Sequence, residues 1–280
     1  MIALAEVLRR STQYLESSGS PTPRLDAELL LAHCLGLTRI ELYTQFERPL
    51  SEAELAGCRE LIRRRGRREP VAYVIGRWGF RRLELDVDAR VLVPRPETEL
   101  VVERCLALLD GRERPAVLDV GTGSGAIALA LKDEMPEARV LACDVSADAL
   151  DVARANAARL GLEVELIESD LLERVPGDAF QLIVSNPPYI AESEMATLQP
   201  EVAEHEPRIA TVAGADGLEI HRRLLPQAAE RLAGGGHLVL ECGAGQVPAL
   251  AAELERVGYA DVGVDRDLSG IERVVWASWR

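Results

Sequence analysis

The 280-residue chain lacks any long apolar run; its longest, such as residues 126–131, fall far short of the ~20 residues that span a bilayer. No membrane contact is expected. The N-terminal segment MIALAEVLRRSTQYLE places its arginines after a short apolar run and keeps acids inside it, the reverse of a secretory signal, so a cytoplasmic protein is expected. Cysteines are few and scattered: Cys34, Cys58, Cys105, Cys143 and Cys242 include no CxxC pair, which excludes a disulfide framework and a zinc knuckle and leaves small buried hydrophobes. Four histidines with no HxH or HExxH spacing give metal catalysis no candidates. Lysine is nearly absent, with one against 31 arginines. The net charge of −14 argues against a protein that coats nucleic acid by neutralising phosphates. That charge is uneven. Residues 59–82 hold nine arginines against Glu60 and Glu69, net +7, so the remainder carries −21. A local polyanion contact is one reading of this cluster; a solvated helix end in an arginine-biased chain is the other.

What is present is ordinary for a globular protein, with 48% hydrophobic and 28% charged residues, and the length suits one medium domain plus a small one. Residues 1–70 read as short helices. Ser51 with Glu54 three positions on forms a capping box, Gly36 stops the run LDAELLLAHCL, and residues 20–23 (SPTP) separate the first two helices. Across residues 71–94 the pattern changes to period-2 stretches through Trp78, Phe80, Leu83, Leu85, Val87, Val91 and Val93, which predicts a hairpin linking two domains. From residue 95 onward strand and helix patterns alternate: AVLDV, SGAIALALKDEM, RVLACD, ADALDVARANAARLG, VELIES, FQLIVS. Such alternation predicts a doubly wound, mostly parallel α/β sheet. A helix near 218–232, a turn at Gly234, Gly235 and Gly236, a strand HLVLE, a helix near 247–257 and two last strands complete the reading.

Strand AVLDV runs into Gly121, Thr122, Gly123, Ser124 and Gly125 and directly into a helix, so the backbone turns tightly and approaches a ligand at a positive helix N-terminus. Asp144 ends the next strand, where a carboxylate accepts both hydroxyls of a ribose. Asp170 ends the third, placed to accept from the exocyclic amine of a purine. Together they outline an adenosine pocket. GTGSGA also fits a dinucleotide fingerprint, which keeps an NAD-linked oxidoreductase open, and a non-catalytic nucleotide-binding module is a third reading.

The fourth strand, FQLIVS, is followed by Asn186, Pro187, Pro188 and Tyr189. Two prolines end the strand and stiffen a turn, so the Asn186 side chain and the Pro187 carbonyl become acceptors fixed in space, with the Tyr189 ring as a flat wall. Two acceptors at that separation suit a planar NH2. An amide nitrogen is a poor nucleophile because its lone pair is shared with its carbonyl. Accepting both N–H protons favours a pyramidal nitrogen whose lone pair faces a sulfonium methyl, and no general base or metal is required.

These motifs make the chain resemble the protein-glutamine N5-methyltransferases of the HemK/PrmC type, over nearly its whole length: EPVAYVIG (69–76), VLVPRPETE (91–99), LDVGTGSGAIALAL (118–131), SNPPYI (185–190), EPRIA (206–210) and GADGL (214–218). The resemblance implies a seven-stranded Rossmann-like class I methyltransferase domain over 95–280, preceded by a helical substrate-recognition domain (1–70) and a β-hairpin linker (71–94). It also implies S-adenosyl-L-methionine held by residues 121–125, with Asp144 on the ribose, Asp170 or its neighbour at the adenine, and Asn186 at the junction with the substrate. Asn186, Pro187, Pro188 and Tyr189 would hold the target glutamine of the Gly-Gly-Gln motif in class I peptide chain release factors. Leu171 stands where relatives often carry an aromatic residue and covers an adenine face by apolar contact. The alternative substrate is adenine N6 in nucleic acid, also a conjugated NH2 but one that must be flipped out of a duplex. Glu97 and Glu99 read as helix-start acids, Arg95 as a residue bordering the site, and His205 and Glu206 as residues of a polar loop that either forms a lid or, the reading preferred, is simply solvated.

Overall fold

The computed structural model describes residues 2–177 and 179–280, and the chain divides into two compact units. The first comprises the chain up to Arg77 together with Gln199–His205. Two-residue strands β1 (Ile2–Ala3) and β2 (Pro49–Leu50), too short to carry a periodic signal, pair antiparallel and tie the start of this unit to the segment just before residue 51. Helix α1 (Leu4–Ser17) buries Leu4, Leu8, Ser11 and Leu15, one stripe at helical spacing, among residues that include Leu30 and Leu31 of α2 (Pro23–Leu35). Gly36 ends α2 in the left-handed conformation. Capping boxes start α3 (Arg39–Thr44) at Thr38 and α4 (Glu52–Gly66) at Ser51. The expected hairpin is shorter than its sequence pattern, because Val71–Ile75 forms a one-turn helix, α5, that buries Ala72, Tyr73 and Val74. Burial of three successive residues is what the apolar texture of that stretch recorded.

The arginines of residues 59–82 divide: Arg59, Arg63, Arg67, Arg77 and Arg82 are exposed, whereas Arg64, Arg65, Arg68 and Arg81 are buried or half-buried against carboxylates. Arg65 is buried, with Nε on Asp26 (2.7 Å) and Nη1 on Glu201 (2.7 Å), and Arg68 holds the other oxygen of Glu201 at 2.6 Å. Arg64 pairs with Glu69, and Arg63 with Glu60 at 2.7 Å. Further along, Arg81 pairs with Glu134.

The second unit, Trp78–Leu198 with Glu206–Arg280, is entered within the hairpin of β3 (Arg77–Phe80) and β4 (Leu83–Asp86). There follow α6 (Pro96–Leu109), β5 (Ala116–Val120), α7 (Ala126–Glu134), β6 (Arg139–Asp144), α8 (Ala147–Leu160), β7 (Glu165–Glu168) and β8 (Phe180–Ser185). Helix α9 (Pro200–His205) belongs to the first unit; then come α10 (Glu219–Arg231), β9 (Leu232–Glu241), α11 (Val247–Val257), β10 (Ala260–Arg266) and β11 (Glu272–Ser278). Seven strands form one sheet in the order β7-β6-β5-β8-β9-β11-β10, the first five parallel and the last two antiparallel, as the alternating pattern predicts. The three glycines do not make a separate turn. They lie inside β9 as an irregularity between the pairs Phe180 with Leu232 and Leu182 with His237, where Gly235 N–H and the Gly236 carbonyl bond the backbone of Trp279. Among the described residues, no helix is long and apolar enough to cross a membrane.

Candidate active site

The chain order of the strands reverses between β5 and β8, and in an open α/β sheet such a reversal leaves a crevice at the carboxyl ends of the strands. A cavity of about 310 Å³ occupies it. Ten residues singled out from sequence line that cavity: Gly121, Thr122, Gly123 and Ser124 after β5, Asp144 after β6, Asp170 and Leu171 after β7, and Asn186, Pro187 and Pro188 after β8. Gly125 and Tyr189 are not part of its wall. Gly125 is instead the left-handed N-cap of α7.

The glycine loop is held from within. Gly121 and Thr122 N–H both donate to the Cys143 carbonyl (2.8 and 3.0 Å), Gly123 N–H donates to Asp144 Oδ2 (2.9 Å), and Gly125 N–H to the Thr122 carbonyl (2.8 Å). Asn156 of α8, fully buried, donates Nδ2 to the carbonyls of Ser124 and Asp86 at 3.0 Å each and accepts the Asp86 N–H, tying the loop to the hairpin. With these amides taken up, the loop does not offer the array of free N–H groups that a pyrophosphate demands. The charge agrees. Asp119, fully buried at the end of β5, accepts from Thr122 Oγ1 (2.7 Å) and Ala128 N–H (3.1 Å), and burial pushes its carboxyl up to about 7 with Asp144 adding to the rise. Burial also raises Asp144, against the N–H donors of Ser146 and Gly123 that pull it down. Of the two, only Asp144 lines the cavity, and a carboxyl on that wall disfavours phosphate and suits a ligand with hydroxyls. The dinucleotide reading therefore loses its physical basis.

Asp170 is not free at the cavity rim: its Oδ2 accepts from Arg223 Nη2 at 2.7 Å, a partner 53 positions away. Leu171 is buried, with a positive φ of 50°. Cavity residues to which the sequence reading gave no role include Ile209 and Ala210, which end the EPRIA motif, and Ile220 and Arg223, which no motif marks.

The turn after β8 is braced at several points. Ser185 Oγ donates to the Val120 carbonyl (2.6 Å), joining the ends of the two strands that flank the reversal. Gln246 Nε2 donates to the Tyr189 carbonyl (2.8 Å) while its Oε1 accepts Gly243 N–H (2.8 Å). Gly217, at φ +74°, approaches that carbonyl so closely that a Cβ would collide with it. Asn186 Nδ2 donates to Thr98 Oγ1 (3.1 Å), and Thr98 Oγ1 donates to Glu241 Oε2 (2.7 Å). Tyr189 directs its hydroxyl at Glu241 Oε1 (3.4 Å); burial beside this carboxylate raises the phenol, which stays protonated and donates. Glu241 itself is 1% exposed, and burial pushes it up to about 7. Nothing in the sequence marks it.

Helix α6 starts as expected, with Pro96 in its first turn beside Glu97 and Glu99. Glu206 departs from expectation. It is buried, not solvated: its carboxylate pairs with Arg95 at 2.5 Å, and burial raises it although Arg95 opposes the shift. His205 closes α9, its Nε2 3.3 Å from the Arg67 carbonyl.

Residues 6–76 match the family model of the PrmC N-terminal domain, and residues 97–205 match that of the methyltransferase small domain. The chain is 43% identical over 272 residues to the release factor glutamine methyltransferase of Geobacter sulfurreducens, covering 97% of this chain and 95% of that protein. It is 44% identical over 274 residues to the release factor glutamine methyltransferase of Deinococcus radiodurans, covering 98% of each. Among solved structures it is similar to a 16S rRNA methyltransferase of T. thermophilus in complex with AdoMet and guanosine, with a TM-score of 0.54 at 19% identity over 73% of this chain and 50% of that one. At that identity the likeness is one of fold alone.

Proposed function

The chain belongs to the release factor glutamine methyltransferases, and from that membership we propose how its cavity carries out the reaction: S-adenosyl-L-methionine lies along residues 121–124, Asp144, Asp170 and Leu171, and the target amide lies against Asn186 and Pro187. The enzyme methylates the side-chain amide nitrogen, N5, of glutamine. The substrate we assign is the glutamine of the Gly-Gly-Gln motif in class I peptide chain release factors, and the helical unit is the part we assign to recognising them.

The single observation that carries this reading is that the glycine loop, Asp144, Asn186 and Pro187 line one cavity at the strand reversal. The residues fit the donor. Asp144 keeps lone pairs for a ribose beyond those bonded by Gly123 and Ser146, and Leu171 supplies apolar cover. When bound, S-adenosyl-L-methionine supplies an electrophilic sulfonium methyl. Asn186 Oδ1 and the Pro187 carbonyl accept the two N–H protons of the glutamine amide and orient its nitrogen lone pair towards that methyl. The nitrogen would become acidic only as the N–CH3 bond forms and the S–CH3 bond breaks, so its proton would pass to solvent afterwards and no buried base is needed. Holding both reactants in line avoids the entropy of bringing them together, a term of up to ~7–11 kcal/mol in intramolecular models.

Adenine N6 as substrate is disfavoured by the net charge of −14 and by ion pairing within the arginine cluster. Arg64, Arg65, Arg68 and Arg81, members of the cluster that left a polyanion contact open, are held by carboxylates of the same chain. Asn186→Ala is expected to bind S-adenosyl-L-methionine with near wild-type affinity by calorimetry while turnover falls by roughly 100-fold or more, as for removal of one preorganised polar group at a reacting centre. Near-normal transfer by that variant would remove the assigned role.

A further inference from the structure

We propose that Thr98 and Glu241 are positioning residues that fix which end of the Asn186 side-chain amide faces the substrate. This rests on the reading of Asn186 as an acceptor for the glutamine NH2. A primary amide has an acceptor oxygen and a donor nitrogen of nearly the same size, and rotation by half a turn exchanges them. Only one orientation works: an Asn186 presenting its own NH2 would oppose a donor to a donor.

The geometry settles the orientation through one proton. Thr98, 4% exposed in the first turn of α6, lies between Asn186 and Glu241 at 3.1 and 2.7 Å. Its hydroxyl carries a single hydrogen. A carboxylate accepts and cannot donate, so that hydrogen goes to Glu241 Oε2 and only lone pairs remain for Asn186. Asn186 must therefore turn Nδ2 towards Thr98, which leaves Oδ1 for the cavity. The same carboxylate takes the Tyr189 hydroxyl on its other oxygen, so one buried group governs both ends of the Asn-Pro-Pro-Tyr turn. An apolar residue at the end of β9 would avoid the cost of burying a charge; the acid fits a requirement for direction rather than for stability.

Protonation of Glu241 would reverse the relay. A neutral Glu241 can donate to Thr98, whose hydroxyl is then free to donate to Asn186 Oδ1 and draw the amide oxygen away from the substrate. The groups that set this proton are Thr98 and Glu97 on α6, Tyr189 in the turn, Arg273 on β11 and neighbouring Cys242, with His221 of α10 on the Glu241 carbonyl. Burial and Glu97 favour the proton; Thr98, Arg273 and Tyr189 oppose it. Balanced up to about 7, Glu241 changes state within the usual assay range.

The test uses the full chain with S-adenosyl-L-methionine and a purified class I release factor, comparing Thr98→Val, Thr98→Ser, Glu241→Gln and Asn186→Ala for kcat, KM and cofactor affinity across pH. The inference expects Thr98→Val to lower kcat at least about tenfold, with cofactor affinity unchanged, and Thr98→Ser to restore it. Wild-type kcat should fall as pH drops from about 8 to about 6, and Glu241→Gln should show a lowered kcat without that acid limb. Wild-type turnover by Thr98→Val, or an unchanged acid limb in Glu241→Gln, would overturn the positioning role. If Asn186→Ala is inactive while Thr98→Val and Glu241→Gln behave as wild type, the relay alone fails. Normal turnover by Asn186→Ala would overturn the site reading, and the relay with it.

Discussion

Asp144 shows how one side chain serves the loop and the ligand together. Its two oxygens accept N–H groups of Gly123 and Ser146 at 2.9 Å each, and lone pairs remain on both. Removing it is expected to weaken S-adenosyl-L-methionine binding about tenfold or more while leaving the fold intact, since its backbone partners lie beside the crevice. Calorimetry beside circular dichroism measures both; unchanged affinity with an intact fold would reject the ribose assignment. At this scale, legibility followed motif locality. Residues 121–125 and 186–189 are contiguous and punctuated by glycine or proline, so their chemistry is visible in the chain, and Asp144 ends a visible strand. Glu241 and Arg223 are not visible, and Thr98, although inside the VLVPRPETE segment, gives no sign there of its partner. Glu241 and Thr98 are 143 positions apart and meet only because β9 and α6 bring them there, and Arg223 looks like any other arginine until it is found on Asp170.

Among elements, helices announced themselves through caps and strands through their alternation with helices. Ser51 and Glu54 close the expected box, and β5 to β8 lie where the apolar runs fall. What the pattern did not carry was partnership between like elements. Helix α9 belongs to the helical unit through Glu201, which takes Arg65 on one oxygen and Arg68 on the other, yet its sequence PEVAEH reads as an ordinary polar loop. Likewise the arginine run could not be divided into buried and exposed members without a fold. That division is testable. Arg65 has a 3% exposed side chain between two carboxylates, whereas Arg63 is 51% exposed and pairs with the equally exposed Glu60. Arg65→Ala leaves Asp26 buried without its cation and is expected to cost about 3–5 kcal/mol. Arg63→Ala should cost less than about 1 kcal/mol. Chemical denaturation of the two variants measures the difference; equal costs would contradict the buried network.

For the whole molecule, fold class was legible because doubly wound sheets follow from alternation alone, and the order β7-β6-β5-β8-β9-β11-β10 then places the two motif-bearing loops side by side. The antiparallel last strands and the short first strands are details that length and burial decide. Charge is informative at this scale as well. With a net charge of −14 and much of its densest arginine run tied to its own acids, the chain has little to offer a phosphate backbone. A protein amide is the substrate that remains. The most direct measurement is intact-mass analysis of a class I release factor incubated with the enzyme and S-adenosyl-L-methionine, beside a variant carrying Gly-Gly-Ala for Gly-Gly-Gln and a duplex DNA control. A gain of one methyl on the wild-type factor alone is the expected result. Methylated DNA, methylation of the Gly-Gly-Ala variant, or no transfer to the factor would contradict the account.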